Sequence, residues 1–182
     1  MPRRQPLPRI WLMTDERLGD ALWGILIALP RGSGVIFRHY TMPAAERRPL
    51  YERVRAIARR RGLILVLAGG LRDAIGWRAD GAHGRGRHVR AARPLLRTAP
   101  AHGRADLHAG AGKDLLLLSP VFATRSHPGA PTLGVTRFGL AARHATVPVV
   151  ALGGVDARRF RRLRALGAYG WAGIDAFGRP PG

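Results

Sequence analysis

The chain has 182 residues, 46% of them hydrophobic, and a formal net charge of +20. That length suits one domain with a sizeable core, and that apolar content excludes a disordered chain. The absence of cysteine excludes disulfides, thiolate metal sites and cysteine nucleophiles, and no stretch approaches the ~20 apolar residues of a membrane span. The opening Met-Pro-Arg-Arg-Gln-Pro-Leu-Pro-Arg has no apolar core behind its charges, so a cytoplasmic protein without a signal peptide is expected. Of 31 Lys+Arg residues only Lys113 is lysine. The arginines are spread along the sequence with few aromatics between them. Loose, salt-sensitive contact with nucleic acid is therefore expected, and specific recognition is not.

In chain order, Ile10–Thr14 reads as a first strand before Asp15 and Glu16. Leu18, Leu22, Ile25, Leu26 and Leu29 fall at helical spacing, stopped by Pro30 and Gly32. Gly34 opens a second strand through Val35–Tyr40. Pro43 begins a helix with a buried stripe of Leu50, Val54, Ile57 and Ala58. Arg47, Arg48, Arg55, Arg59 and Arg60 make up its solvated face. Leu63–Leu67 is a third strand, Leu71–Trp77 a short helix, and Ala79–His83 a weak fourth strand. Val89–Leu96 reads as a helix despite Pro94, Leu96–His102 as a strand, and Asp106–Ala111 as helical.

Leu115–Leu118 is too short for a helix and is flanked by breakers, so it reads as a strand buried on both faces. Thr136–His144 is helical. Pro148–Leu152 is a strand, and Gly153-Gly154 turns it into a helix capped by Asp156, with Phe160, Leu163 and Leu166 inward. Gly170–Phe177 is the last strand. Up to eight strands alternate with helices at the crossover length of a parallel sheet. The expected fold is a shortened α/β (β/α)8 TIM barrel with some helices reduced, and a doubly wound open sheet is the alternative. One domain spans residues 1–182, with 1–9 and 178–182 as tails.

In such a barrel the site lies at the C-terminal ends of the strands. Arg38, His83, His102, Thr124–His127, Gly153-Gly154 and Asp175 all fall there. Thr124, Arg125, Ser126 and His127 combine hydroxyls with cations, which suits a phosphate; an ordinary polar loop is the alternative. Gly153 and Gly154 before a helix offer backbone N–H groups to a phosphate, or simply satisfy a tight turn. His102 is the candidate general acid/base. His83, His88 and His102 lack the close spacing of a metal site, and no paired carboxylates mark a Mg²⁺ site.

Arg78–His83, Ser119–Thr124, Pro148–Val155 and Leu166–Ala172 together resemble the thiamine phosphate synthase family, including its thiazole tautomerase (TenI) branch. The resemblance runs from Leu12 to Ile174. It implies a barrel enzyme of thiamine biosynthesis that binds a thiazole phosphate or similar small phosphate. Thr124, Ser126 and His127 fall on the family's phosphate loop, Gly153, Gly154, Ile174 and Asp175 on its phosphate cup, and Arg38 on its strand-two pyrimidine site. The synthases' Mg²⁺-binding carboxylate after strand three is replaced, since Ala68 and Gly69 stand there, and the second has no counterpart near Arg85–His88. A TenI-like tautomerase with His102 as acid/base and no cofactor is therefore expected. A Mg²⁺-dependent synthase joining a pyrimidine diphosphate to the thiazole phosphate, and a non-catalytic barrel serving as a binding or regulatory module, stay open, as does a homo-oligomer.

Overall fold

A computed structural model describes residues 6–86, 94–110, 112–126 and 128–177. Eight parallel strands close into a barrel in sequence order. They are β1 (Ile10–Met13), β2 (Gly34–Phe37), β3 (Ile64–Ala68), β4 (Gly81–His83), β5 (Leu96–Ala101), β6 (Leu115–Leu118), β7 (Val149–Leu152) and β8 (Gly170–Gly173). The helices are α1 (Ala21–Ala28), α2 (Ala44–Arg61), α3 (Leu71–Gly76), α4 (Arg104–Ala109), α5 (Gly134–Arg143) and α6 (Ala157–Arg164). This is a (β/α)8 barrel. Closure excludes the open sheet: β1 pairs with β8, setting Ile10 against Trp171 and Leu12 against Gly173.

The strands are short and buried on both faces because the interior and the helices cover them alternately. In β6, Leu115 and Leu117 join the cluster containing Trp11, Val66 and Val150. Leu116 and Leu118 join the one containing Leu107, Phe138 and Leu163. All four leucines are fully buried. Burying one such side chain stabilises by about 1.5–3 kcal/mol, so a four-residue strand suffices. Gly34 opens β2 because a Cβ there would enter the Trp11 ring.

Several expected elements differ in detail. The Leu18–Leu29 pattern is broken at Gly19, φ +46, into a 3-10 turn (Glu16–Leu18) and α1. The last strand stops at Gly173, and Asp175–Phe177 forms a 3-10 turn in which Phe177 stacks on Trp171 at 4.9 Å. The helix expected at Val89–Leu96 falls mostly on residues 87–93, outside the described residues, and Leu96 opens β5. Residues 7–9 pack onto the barrel. The Arg9 carbonyl accepts from the Trp171 N–H, and the Leu7 carbonyl accepts from the Tyr169 hydroxyl. Among the described residues no helix is long and apolar enough to cross a membrane.

Arg47 corrects the solvated-face reading of α2. Its guanidinium turns in, donates to the Arg38 carbonyl at 2.9 and 3.1 Å, and lies over the Trp77 ring at 5.0 Å. A long cationic side chain at the first turn of α2 reaches the ends of β2 and β3, and an aromatic face there holds it.

Candidate functional site at the barrel mouth

The mouth is built around Asp15, just after β1. One carboxylate oxygen accepts from Arg17 Nε at 2.7 Å and from the Arg17 backbone N–H. The other accepts from Arg38 at 2.7 Å. Burial alone would raise the Asp15 carboxyl. The hydrogen bonds from Arg17, with the charges of Arg17 and Arg38, outweigh it and hold the group below its usual range. The Asp15 bond in turn raises the Arg17 guanidinium, with a further contribution from Asp175.

Arg17 also donates to Ser126 Oγ at 3.0 Å. No motif in the sequence singles out Arg17. Its position four residues past the end of β1 was the available signal. It joins the Asp15–Arg38 ion pair after β1 and β2 to Ser126 in the loop after β6, and Asp175, after β8, acts on it through its charge. Arg38 Nε is buried without an acceptor among the described residues.

Beside this cluster the Thr14 hydroxyl pairs with His39 Nδ1 at 3.0 Å and accepts from the Arg38 N–H. Burial lowers the His39 pKa. His83, at the end of β4, pairs through Nδ1 with the Thr98 hydroxyl at 2.8 Å. Burial, then the charges of Arg38 and Lys113, push it down to about 4, so it is neutral at pH 7. Two neutral, buried imidazoles thus flank the mouth, fixed by threonines from neighbouring strands.

His102 follows β5 and is exposed. Its backbone N–H donates to Asp106 at 2.8 Å, and its Nδ1 lies 2.9 Å from the Ser119 carbonyl. A carbonyl only accepts, so Nδ1 carries the proton and the neutral ring keeps its lone pair on Nε2.

Thr124 and Arg125 line a cavity of about 620 Å³ with Ala123, Pro128, Gly129 and Ala130. His127 lies outside the described residues. Gly153 (φ +94) and Gly154 (φ +60) hold the left-handed conformations that glycine permits. They also lie under the β6–α5 loop: the Gly153 carbonyl accepts from the Phe122 N–H, and a Cβ on Gly154 would strike the Ala123 carbonyl. The turn reading of this pair therefore has a direct physical basis, whatever else the pair binds. Ile174 is buried and Asp175 exposed.

The family model described as Thiamine monophosphate synthase (TMP-TENI) matches residues 14–177. The chain belongs to the thiamine monophosphate synthase family. It is 32% identical over 188 residues to the thiamine-phosphate synthase of Thermobifida fusca, covering 91% of this chain and 83% of that one. A shorter stretch of 66 residues is 39% identical to the putative thiamine-phosphate synthase 2 of Aquifex aeolicus, covering 36% of each chain. The barrel also superposes on the thiamine phosphate pyrophosphorylase of Pyrococcus furiosus with a TM-score of 0.78, at 23% identity, covering 95% and 88% of the two chains. These relatives carry the names of an enzyme family.

A family Mg²⁺ ion finds a poor fit in this member. The end of β3 offers Ala68 and Gly69, whose carbonyl and N–H are already bonded to Arg47 and to the His83 carbonyl. Asp15 is held by two arginines. Among the described residues no group of three His, Asp or Glu side chains converges as metal ligands would.

Proposed function

We propose that this chain is a metal-independent, proton-transferring member of the family: a tautomerase of a thiazole phosphate or a closely similar small phosphate. The observation that carries this reading is His102. Its Nδ1 is tied to the Ser119 carbonyl, and its Nε2 is left as a lone-pair base beside the barrel mouth. Moving a proton between two ring positions of a bound heterocycle needs one positioned acid/base, which takes the proton at Nε2 and returns it from the same atom. The Asp106 carboxylate, bonded to the His102 N–H, fixes the backbone that carries the ring.

Thr124, Ser126, Gly153 and Gly154 take the phosphate in this reading. Arg17 and Arg38 supply positive charge, and Ile174 and Asp175 close the cup after β8. A phosphate would compete with Asp15 for the two guanidinium groups, so binding is expected to loosen the Asp15 pairs. The names of the relatives favour a second reading, the Mg²⁺-dependent synthase. The absence of a carboxylate at Ala68 and Gly69 weighs against it, because leaving-group charge would lack its electrostatic support.

The test is proton exchange into the thiazole phosphate in D2O, followed by NMR. Wild type exchanges the ring proton, and His102→Ala loses on the order of 10²–10⁴ in rate while melting as the wild type does. Equal turnover by His102→Ala would sink the assignment. Formation of thiamine phosphate from a pyrimidine diphosphate and the thiazole phosphate with Mg²⁺ would decide for the synthase. Phosphate binding without either turnover would decide for a binding module.

A further inference from the structure

Arginines that are dispersed in the sequence are gathered by the fold. In this barrel the helices run back against the strands, so helix C-termini and strand N-termini share the base, opposite the mouth. α2 ends at the base in Arg59, Arg60 and Arg61, all exposed. Arg31 precedes β2 and lies on Gly62, where an added Cβ would sit 3.0 Å from the guanidinium carbon. Arg78 precedes β4. Because β2, β3 and β4 are neighbours, these positions lie in one sector of the base, and Arg59, one turn after Arg55 on the same face of α2, is the one of the three terminal arginines that meets Arg78. Arg55, Arg59 and Arg78 line a groove of about 360 Å³ with Ala58, Leu63 and Ile75.

We infer that this groove and the arginines around it are a docking surface for the phosphate backbone of a single-stranded nucleic acid. Among the described residues no ion pair engages Arg31, Arg59, Arg60, Arg61 or Arg78. Of the nearby carboxylates, Glu52 pairs with Arg48 and Arg55, and one oxygen of Asp80, also on the groove, accepts from the Leu65 N–H. A cation in the last turn offsets the helix dipole, and α6 also ends in arginines; what distinguishes α2 is that its Arg55 and Arg59 share a groove with Arg78 from the adjacent loop.

Arg78 also holds φ +55, a left-handed conformation uncommon for a non-glycine residue. Guanidinium groups bind phosphate oxygens through paired N–H donors, which favours a phosphodiester chain. The groove is concave. Ile75 is its one large exposed apolar side chain among the described residues, so the surface lacks the apolar residues that insert into a bilayer.

The experiment compares Arg59→Gln/Arg60→Gln/Arg78→Gln with Arg158→Gln/Arg161→Gln/Arg162→Gln. The second set removes the same charge from α6, which lies between β7 and β8 and outside the groove. A labelled oligouridylate of twelve nucleotides is titrated by fluorescence anisotropy between 50 and 200 mM salt, as ~50 and ~200 mM suffice to define the slope. The base variant is expected to weaken binding at least tenfold and to lower the salt slope by about 2, since each single-strand phosphate contact contributes about 0.7. The α6 variant is expected to change affinity less than about threefold, as its charges act only through the screened overall field. Equal loss in both variants, no binding by the wild type, or sedimentation with phosphatidylserine vesicles without oligonucleotide binding would each overturn the proposal. If the triple variant melts early, Arg59→Gln alone, a single exposed groove position, is expected to weaken binding and lower the salt slope by about 0.7, and no change would overturn the proposal.

Discussion

The two ends of the barrel treat charge differently. Of the eleven Asp and Glu residues, Asp80 and Asp114 lie just before strands at the base and Glu52 lies within α2; the other eight are at the mouth. Many of those eight are engaged locally. Asp15 holds two arginines, Glu16 accepts from Thr41, Asp73 from the Gly70 N–H, Asp106 from the His102 N–H, and Asp156 from the Arg159 N–H. At the base, α2 ends in three arginines that no carboxylate holds among the described residues. Helix dipoles favour this sorting, with acids at helix N-termini and bases at C-termini. Net charge alone would suggest a uniformly cationic surface. The fold instead gathers most carboxylates at the mouth, where several hold arginines or backbone N–H groups, and leaves the arginines at the end of α2 without an ion pair among the described residues.

The packing of the mouth is broken most strongly at Gly154. Gly154→Val is expected to cost about 2–4 kcal/mol, because a branched side chain meets the Ala123 carbonyl at a left-handed φ. Urea unfolding measures it, and a loss below 1 kcal/mol, on the order of an ordinary surface change, would show that the β6–α5 loop yields easily.

The buried imidazole gives the next effect. His83 has a folded pKa of about 4, below the ordinary unfolded value. Below about pH 6.5 the unfolded chain takes up a proton that the folded state refuses, so stability falls as pH drops toward 4, by up to about 3 kcal/mol, and levels off below. His39 adds a smaller effect of the same sign. His83→Gln should flatten the slope of unfolding free energy between pH 4 and 6.5. An unchanged slope would place the titration elsewhere.

Asp15→Asn sharpens the contrast between paired and unpaired arginines. Arg17 and Arg38 keep some solvent, so the expected cost is about 2 kcal/mol, less than for a fully buried pair. Asp15 has a lowered pKa, so its contribution is present above about pH 4 and lost as pH falls through the lower folded value. Wild type and Asp15→Asn should therefore converge in strong acid, below the window in which His83 acts. Smallest is Asp156→Ala, about 1 kcal/mol from the lost cap of α6, read by thermal melting.

Much of the fold was legible because burial leaves a local mark. Leu115–Leu118 reads as a strand buried on both faces and occupies those positions in β6. Asp156 reads as a cap and bonds the Arg159 N–H. The expected site residues were identifiable by position, as strand ends, but their partners were not. Arg17 sits on a 3-10 turn with no motif, and its link to Ser126 spans 109 positions. The tautomer-setting contact of His102 is with the backbone carbonyl of Ser119, just past β6, which leaves no trace in side-chain identity.

The sequence by itself determined the alternation of buried strands and helices, the family, and the lack of a carboxylate at Ala68 and Gly69. These depend on residue type and short-range spacing. Only the tertiary structure decided that the sheet closes, that Arg47 turns inward, and that Arg55, Arg59 and Arg78 line one groove. Closure and convergence depend on contacts between strands and loops far apart in the chain, and spacing along one segment carries no information about which distant segment it will meet.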